Sequence, residues 1–492
     1  MHYIGCMILA SISPYFANTL SRLKEYGGKK SLWQEDSATL IRAYESDLDT
    51  DQAIGVLQRA RRMTRIFRAG LEHNDAFRAQ YLSTDLHDWE TFEEPPVPRE
   101  YQDRLTDLLY IVRGPAEIPV LEIGDQARYI GARLFDKCVE GRLKFDVAVH
   151  DDNFAALLIN ATSEDGIRAL SEFYLQDRAD VTARILVQHN LPRWKGIESN
   201  PAKSRLYRKL LQPFREKAME GTIRSVLTAI PTTRDAEVDG LPYEEYCDLY
   251  FKMCDQPWDR IQVAQKHLIQ TLNAAKTLRF TNNDGTDLSM DVDGFTFCNS
   301  VIARNIPGSE VFSAPHIEST QGVIVAKGRF SVREDNGTII ENLRMEFEKG
   351  KLVKWTAEKG QEHFDHAVLL DEGSCRIGEI GIGTNPFLKQ HVASILLSEK
   401  IGGSFHVALG DSYTMTDYMG DAVHVDNGNR SILHWDITTM LMGKQGRIYA
   451  DDAVIMDDGI FLDPALRVLN EGWKAVPFHQ RPQVWQKIYP EE

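Results

Sequence analysis

The chain has 492 residues, with 72 acidic against 56 basic side chains and a formal charge of −16. One hydrophobic core does not organise so long a chain, because single cores stop growing at roughly 250–300 residues, so two or three domains are expected. A charge of this sign repels phosphate backbones and anionic headgroups, which sets nucleic acid aside. At 43% hydrophobic and 26% charged residues the chain is neither disordered nor fibrous.

The first apolar stretch, Tyr3 to Leu20, lacks a basic start and is broken by Ser11, Ser13, Pro14 and Asn18. It reads as a buried helix or strand rather than a signal peptide. No other run approaches the roughly 18 apolar residues of a membrane span, so no membrane partner is expected. From Leu32 to Gln80 apolar residues recur at helical intervals, as in Ala53, Ile54, Val56, Leu57 and Ala60. Pro95, Pro96 and Pro98 cannot continue a helix and mark a linker.

Between Ile118 and Thr232 helical stretches alternate with short apolar runs. Ala127 to Lys137 reads as helix, Phe145 to His150 and Ser225 to Ile230 as strands, and Ala155 to Ile159 as a strand or helix start. Glu245 to Leu278 returns to helix. After Asn283-Asp284-Gly285 short strands follow one another, among them Gly322 to Ala326, Leu343 to Phe347, Leu352 to Trp355 and Phe405 to Leu409. Asn336-Gly337 and Asp458-Gly459 read as hairpin turns. The fold expected is mixed α/β and α+β: a helical extension over 1–98, an open α/β sheet domain over 99–282, and a β-rich metal-binding domain over 283–492. The six cysteines form no C-x-x-C pair, which fits a reducing compartment and a cytoplasmic protein.

Six residues of the β-rich part have the chemistry to hold divalent ions: Glu310, Glu379, Glu399, His406, His434 and Asp436. A two-ion site needs a bridging carboxylate, further carboxylates or imidazoles, and open positions for water and substrate. Glu310 follows Pro307-Gly308, a turn that could aim a carboxylate from a strand start. Glu379 lies among glycines that let backbone approach closely. His434 and Asp436 are two apart, so a strand would turn both to one face. His424 and Asp426 repeat that spacing, but apolar neighbours favour the later pair. A lone histidine in an apolar run, as His406 is, is more often a core residue.

Two further clusters compete. His363 and His366 have a spacing that can bind metal on a helical turn, yet their segment reads as a solvated face. Asp47, Asp49 and Asp51 resemble the start of a calcium loop, but Gln52 and Gln58 stand where its glycine and closing glutamate belong. Walker, G-x-S-x-G and H-E-x-x-H motifs are absent from the sequence.

Five stretches closely resemble the thermophilic-type metallo-aminopeptidases in the family's order: Asn305 to Pro315, Asp371 to Glu379, Ile380 to Pro386, Ser398 to Gly410, and Asn429 to Asp436. The resemblance implies that the six residues above hold two divalent ions, zinc or else cobalt, manganese or magnesium. It implies that Tyr413 lines the active site, and it selects His434 and Asp436 over His424 and Asp426. A homodimer acting on peptides or aminoacyl amides is expected, with Glu379 and Tyr413 as the catalytic pair. Tyr413 would donate to the oxyanion, and the carrier of the proton stays open among the glutamates. Ser398 and Ser404 depart from the family pattern in ways it tolerates, while the run Met419 to Asn429 departs in a way that bears on substrate preference. Two alternatives stand beside this reading. His406, His434 and Asp436 could form a single Fe(II) site for ring cleavage, or the enzyme could be a hydrolase dedicated to one pathway's amide.

Overall fold

The computed structural model describes residues 95–491, apart from 113, 115–118, scattered positions between 125 and 145, 151–163, 190–199, 220–221, 303 and 333–337. Expectations for residues 1–94, including the Asp47 to Asp51 cluster, lie outside the described residues, as do those for 155–159 and for Asn336-Gly337. Packing divides the chain into two compact units, the first ending at Arg234 and the second beginning at Asp235.

In the first unit four strands form a parallel sheet in the order β2, β1, β3, β4. They are β1 (Pro119–Gly124), β2 (Asp146–His150), β3 (Ala183–His189) and β4 (Arg224–Ile230). Parallel neighbours need crossover connections, and the helices Glu164–Asp177, Pro201–Leu210 and Gln212–Met219 lie in them. Glu122 is buried in β1, where Arg178 and Arg184 neutralise it.

After the helix Thr233–Asp239 the second unit has two helices where the sequence reads one. We label them α1 (Tyr243–Cys254) and α2 (Trp258–Ala274). Pro257 lacks the amide that would continue the first helix. Leu278 falls in β5 (Thr277–Thr281). On α2 the buried residues Trp258, Ile261, Gln265, Leu268 and Leu272 recur at helical intervals along one side.

Two large antiparallel sheets follow, with a small two-stranded one of β14 (Asp417–Tyr418) and β15 (Asp421–Ala422). The larger has eight strands in the order β11, β10, β9, β6, β5, β17, β18, β19. Its members are β5, β6 (Asp287–Asp291), β9 (Gln321–Val332), β10 (Thr338–Glu348), β11 (Lys351–Lys359), β17 (Arg447–Ala450), β18 (Ala453–Asp457) and β19 (Ile460–Phe461). Asp458 and Gly459, both with positive φ, turn β18 into β19 as their sequence suggests. The smaller has five strands, β16, β13, β12, β8, β7. They are β7 (Cys298–Ser300), β8 (Glu310–Ser313), β12 (Ile377–Gly383), β13 (Ser404–Gly410) and β16 (His434–Met440).

The smaller sheet has two unlike faces, because alternate residues of a strand point to opposite sides. Val311, Ile380, Ile382, Phe405, Val407, Leu409, Trp435 and Ile437 are buried on one face. That face lies against the larger sheet: Phe405 stacks on Phe280 at 4.3 Å, and Trp435 donates from Nε1 to the Ser331 carbonyl at 3.1 Å. The opposite face carries the polar cluster. No helix of the described residues is long and apolar enough to cross a membrane.

Candidate metal centre

Strand register puts the sequence candidates on one face. Glu310 pairs with Gly383, Gly381 with His406, Glu379 with Ala408, Ala408 with Asp436, and Gly410 with His434. Directly paired residues of an antiparallel sheet share a face, so Glu310, Glu379, His406, His434 and Asp436 project to the same side. Small residues lie between them and leave room. Gly381 is required there, since a Cβ would come within 2.1 Å of the His406 ring.

Two groups of ligand atoms result, each within 4.8 Å: Glu310, Glu379 and His406 in one, Glu379, His434 and Asp436 in the other. Glu379 belongs to both. Its Oε1 lies 3.6 Å from His406 Nε2 and its Oε2 3.2 Å from His434 Nε2. His406 Nε2 is also 3.5 Å from Glu310 Oε2, and His434 Nε2 is 3.7 Å from Asp436 Oδ1. Glu399, which caps the short helix α3 (Ile395–Ser398), lies outside both groups. It joins the cluster through Lys400, whose Nζ is 2.6 Å from Glu399 Oε1 and 2.5 Å from Glu310 Oε1.

Local structure aims these side chains. Gly308 packs so closely on the Val301 carbonyl that no side chain would fit, and Ser309 adopts a φ of 101°, so the chain enters β8 with Glu310 pointing inward. Gln265 of α2 holds that turn, donating from Nε2 to Ser309 Oγ at 3.2 Å and to Thr384 Oγ1 at 2.8 Å. His434 donates from Nδ1 to the Asp411 carbonyl at 2.9 Å, which turns Nε2 toward the cluster. Such a bond on the far nitrogen is how metal-binding imidazoles are commonly fixed. Asp371 secures the approach to β16 by accepting from Ser431 Oγ and the Ile432 amide.

Burial alone would push the two imidazoles down, but the surrounding carboxylates overrule it. His406 is raised to about 9, mainly by Glu379 and Glu310, and His434 to about 10, mainly by Asp436 and Glu379. Burial likewise opposes ionisation of Glu379, yet the two histidines hold it down to about 2. Asp436 is pushed up to about 6 by burial, with His434 opposing. The face therefore collects positive charge, and a divalent ion would take the place of the imidazole protons.

The residues fit divalent ions on a second count. Glu310 Oε2, Asp436 Oδ1 and both ring nitrogens of His406 are buried with no hydrogen-bond partner among the described residues. Buried polar atoms without partners are costly, and carboxylate oxygens with imidazole nitrogens are a donor set that zinc and its neighbours accept. The His434 side chain is 31% exposed while Glu379, His406 and Asp436 are at 7% or less, so the cluster opens to solvent beside β16. Tyr413 follows β13 with its ring 5.4 Å from that of His434 and 5.2 Å from that of Phe312. Burial and then the carboxylates of Glu379 and Asp436 raise its phenol well above the ordinary value, keeping it a neutral donor.

The competing histidines lie elsewhere. His424 stacks on Phe295 at 4.7 Å and bonds the Gly294 carbonyl, while Asp426 pairs with Arg430 at 2.6 Å. His363 and His366 sit on the helix Gln361–Val368, outside both groups. Sequence reasoning gave no role to Lys400 or to the Asp411 carbonyl. A lysine next to Glu399, two residues before the Gly402-Gly403 pair that leads into an apolar strand, was the available signal for the first. The second, a backbone group, left none.

The class this donor set defines is that of metal-dependent enzymes. The family described as thermophilic metalloprotease (M29) matches residues 125–461, and the chain belongs to it. Aminopeptidase T of Thermus thermophilus is 27% identical over 356 residues, covering 63% of this chain and 85% of that protein. Aminopeptidase AmpS of Bacillus subtilis is 31% identical over 139 residues, or 27% of this chain and 33% of that protein. The solved structure of wild-type AmpT from Thermus thermophilus shares the fold, with a TM-score of 0.61 at 22% identity over 74% of this chain and all of that one.

Proposed function

We propose that this metallo-aminopeptidase removes the N-terminal residue of peptides or aminoacyl amides with two divalent ions held by Glu310, Glu379, Glu399, His406, His434 and Asp436. The observation that carries the reading is the sharing of Glu379 by two ligand groups, with one oxygen turned to each histidine. A carboxylate so placed is what a bridging ligand requires. Zinc is the first expectation, with cobalt, manganese or magnesium as the other candidates. When bound, such ions supply Lewis acidity that polarises a carbonyl and brings the pKa of water toward neutrality.

The chain's own residues account for the rest. Tyr413 remains protonated at neutral pH and donates to the oxyanion as charge develops on the scissile carbonyl. A carboxylate of the same face carries the proton from the attacking water to the departing amine. Asp411 and Asp371 keep His434 oriented while substrate enters beside β16. Glu379 and Tyr413 are the catalytic pair in this scheme.

The single-iron alternative needs His406, His434 and Asp436 to converge on one ion. The two histidines fall in separate groups, which favours the hydrolase. Metal analysis of the purified protein beside a panel of aminoacyl amides tests the proposal: about two ions per chain and hydrolysis across the panel are expected. One iron with oxygen-dependent turnover would replace it, and activity on a single conjugate would point to a pathway-dedicated hydrolase. Cytoplasmic residence is part of the proposal, supported by the free cysteines Cys138, Cys247, Cys254, Cys298 and Cys375. So is a homodimer, to be checked by light scattering.

A further inference from the structure

Lys400 is completely buried, and its ammonium sits between Glu310 Oε1 and Glu399 Oε1 at 2.5 and 2.6 Å. It holds one oxygen of Glu310 and leaves the other, Oε2, turned to His406 at 3.5 Å. Its neighbour Ile401 is also fully buried. Among the described residues neither Glu379 nor Asp436 has a lysine or arginine partner. The positive charge is thus fixed at one end of the cluster only.

We infer that Lys400 is a built-in counter-ion of the metal site: it offsets one of the two negative charges of Glu310 and Glu399 before any ion arrives, and it weakens the ion bound on that side relative to the one on Glu379, His434 and Asp436. The inference rests on reading these carboxylates as metal ligands. Two buried carboxylates repel each other unless a cation lies between them, and the lysine supplies one that does not exchange. By orienting Glu310 it keeps the ligand group assembled in the metal-free protein. By the same charge it opposes a divalent ion nearby. Lys400 is therefore a positioning residue that makes the two ion positions unequal.

The test compares the full chain with Lys400→Met and Lys400→Arg variants after removal of metal by EDTA, then with zinc chloride added. Without metal, Lys400→Met should unfold about 10 °C lower than the parent, and zinc should restore most of that loss. Chelator competition should show the weaker zinc affinity tightened by about tenfold or more. Lys400→Arg should keep the metal-free stability. An equal loss of melting temperature with and without zinc would reduce Lys400 to packing and overturn the inference, as would a weaker zinc affinity that is unchanged or loosened.

If Lys400→Met does not fold without zinc, the double variant Glu399→Gln, Lys400→Met carries the same test. Removing one of the two repelling carboxylates should restore the metal-free fold, and failure to do so overturns the counter-ion role. A parent protein that takes up fewer than two zinc ions would instead sink the two-ion reading. The metal-free comparison of stabilities is read separately from that count.

Discussion

The two faces of the five-stranded sheet are made from the same strands and serve opposite ends. Toward the larger sheet, Phe405, Val407, Trp435 and Ile437 are buried, and water exclusion there stabilises the unit. One residue over on each strand, His406, His434 and Asp436 face carboxylates that they do not satisfy by hydrogen bonds. The apolar face rigidifies the backbone, and that rigidity keeps the unsatisfied groups of the other face from collapsing onto one another. Stability and chemistry are separated by the two-residue period of the strand rather than by distance along the chain.

Substitutions on the two faces should therefore have different readouts. The largest effect is expected from Glu379→Gln, which removes the charge shared by both ligand groups. Turnover should be lost along with bound metal, as measured by metal analysis and aminoacyl-amide hydrolysis, and a fully active, metal-loaded variant would break the site assignment. On the other face, Phe405→Ala should cost about 3–5 kcal/mol of stability in denaturant titration while leaving kcat of the folded protein unchanged. A matching fall in kcat would show that the faces are not independent.

Smaller effects sharpen the contrast. Tyr413→Phe should lower kcat by about 10²-fold with metal content unchanged, separating oxyanion stabilisation from ion binding. Gly381→Ala should displace the His406 ring and weaken metal by about tenfold or more, with little change in the apolar packing behind it; unaltered affinity would mean the strand yields instead. The smallest effect concerns pH. Burial, opposed by the Ala393 amide and reinforced by Asp235, pushes Asp239 up to about 6. Because the folded state holds that proton more tightly, the stabilisation is present below about pH 4 and lost as pH rises through 6. Asp239→Asn should flatten this part of the stability profile, and an unchanged slope would remove Asp239 as its source.

Much of this was legible in the sequence. His434 and Asp436 share a face because strand alternation is local, and the five family-like stretches single out the later of two H-x-D pairs. The change of pattern near Asn283 marks where helices give way to strands. Packing nonetheless places α1 and α2 in the same unit as those strands, because Gln265 of α2 bonds Ser309 and Thr384. Pro257 signalled the break between those helices, yet the helical pattern on both sides concealed it.

By itself the sequence determined which residues could bind metal and how neighbours along one strand are oriented, since both follow from side-chain chemistry and backbone period. Only the tertiary structure decided which of them meet. Pairing of Gly381 with His406, and of Ala408 with both Glu379 and Asp436, is a choice of register between segments far apart in sequence, and it alone makes Glu379 common to two groups. The same non-local packing set Lys400 between Glu310 and Glu399, ninety residues from the first and next to the second.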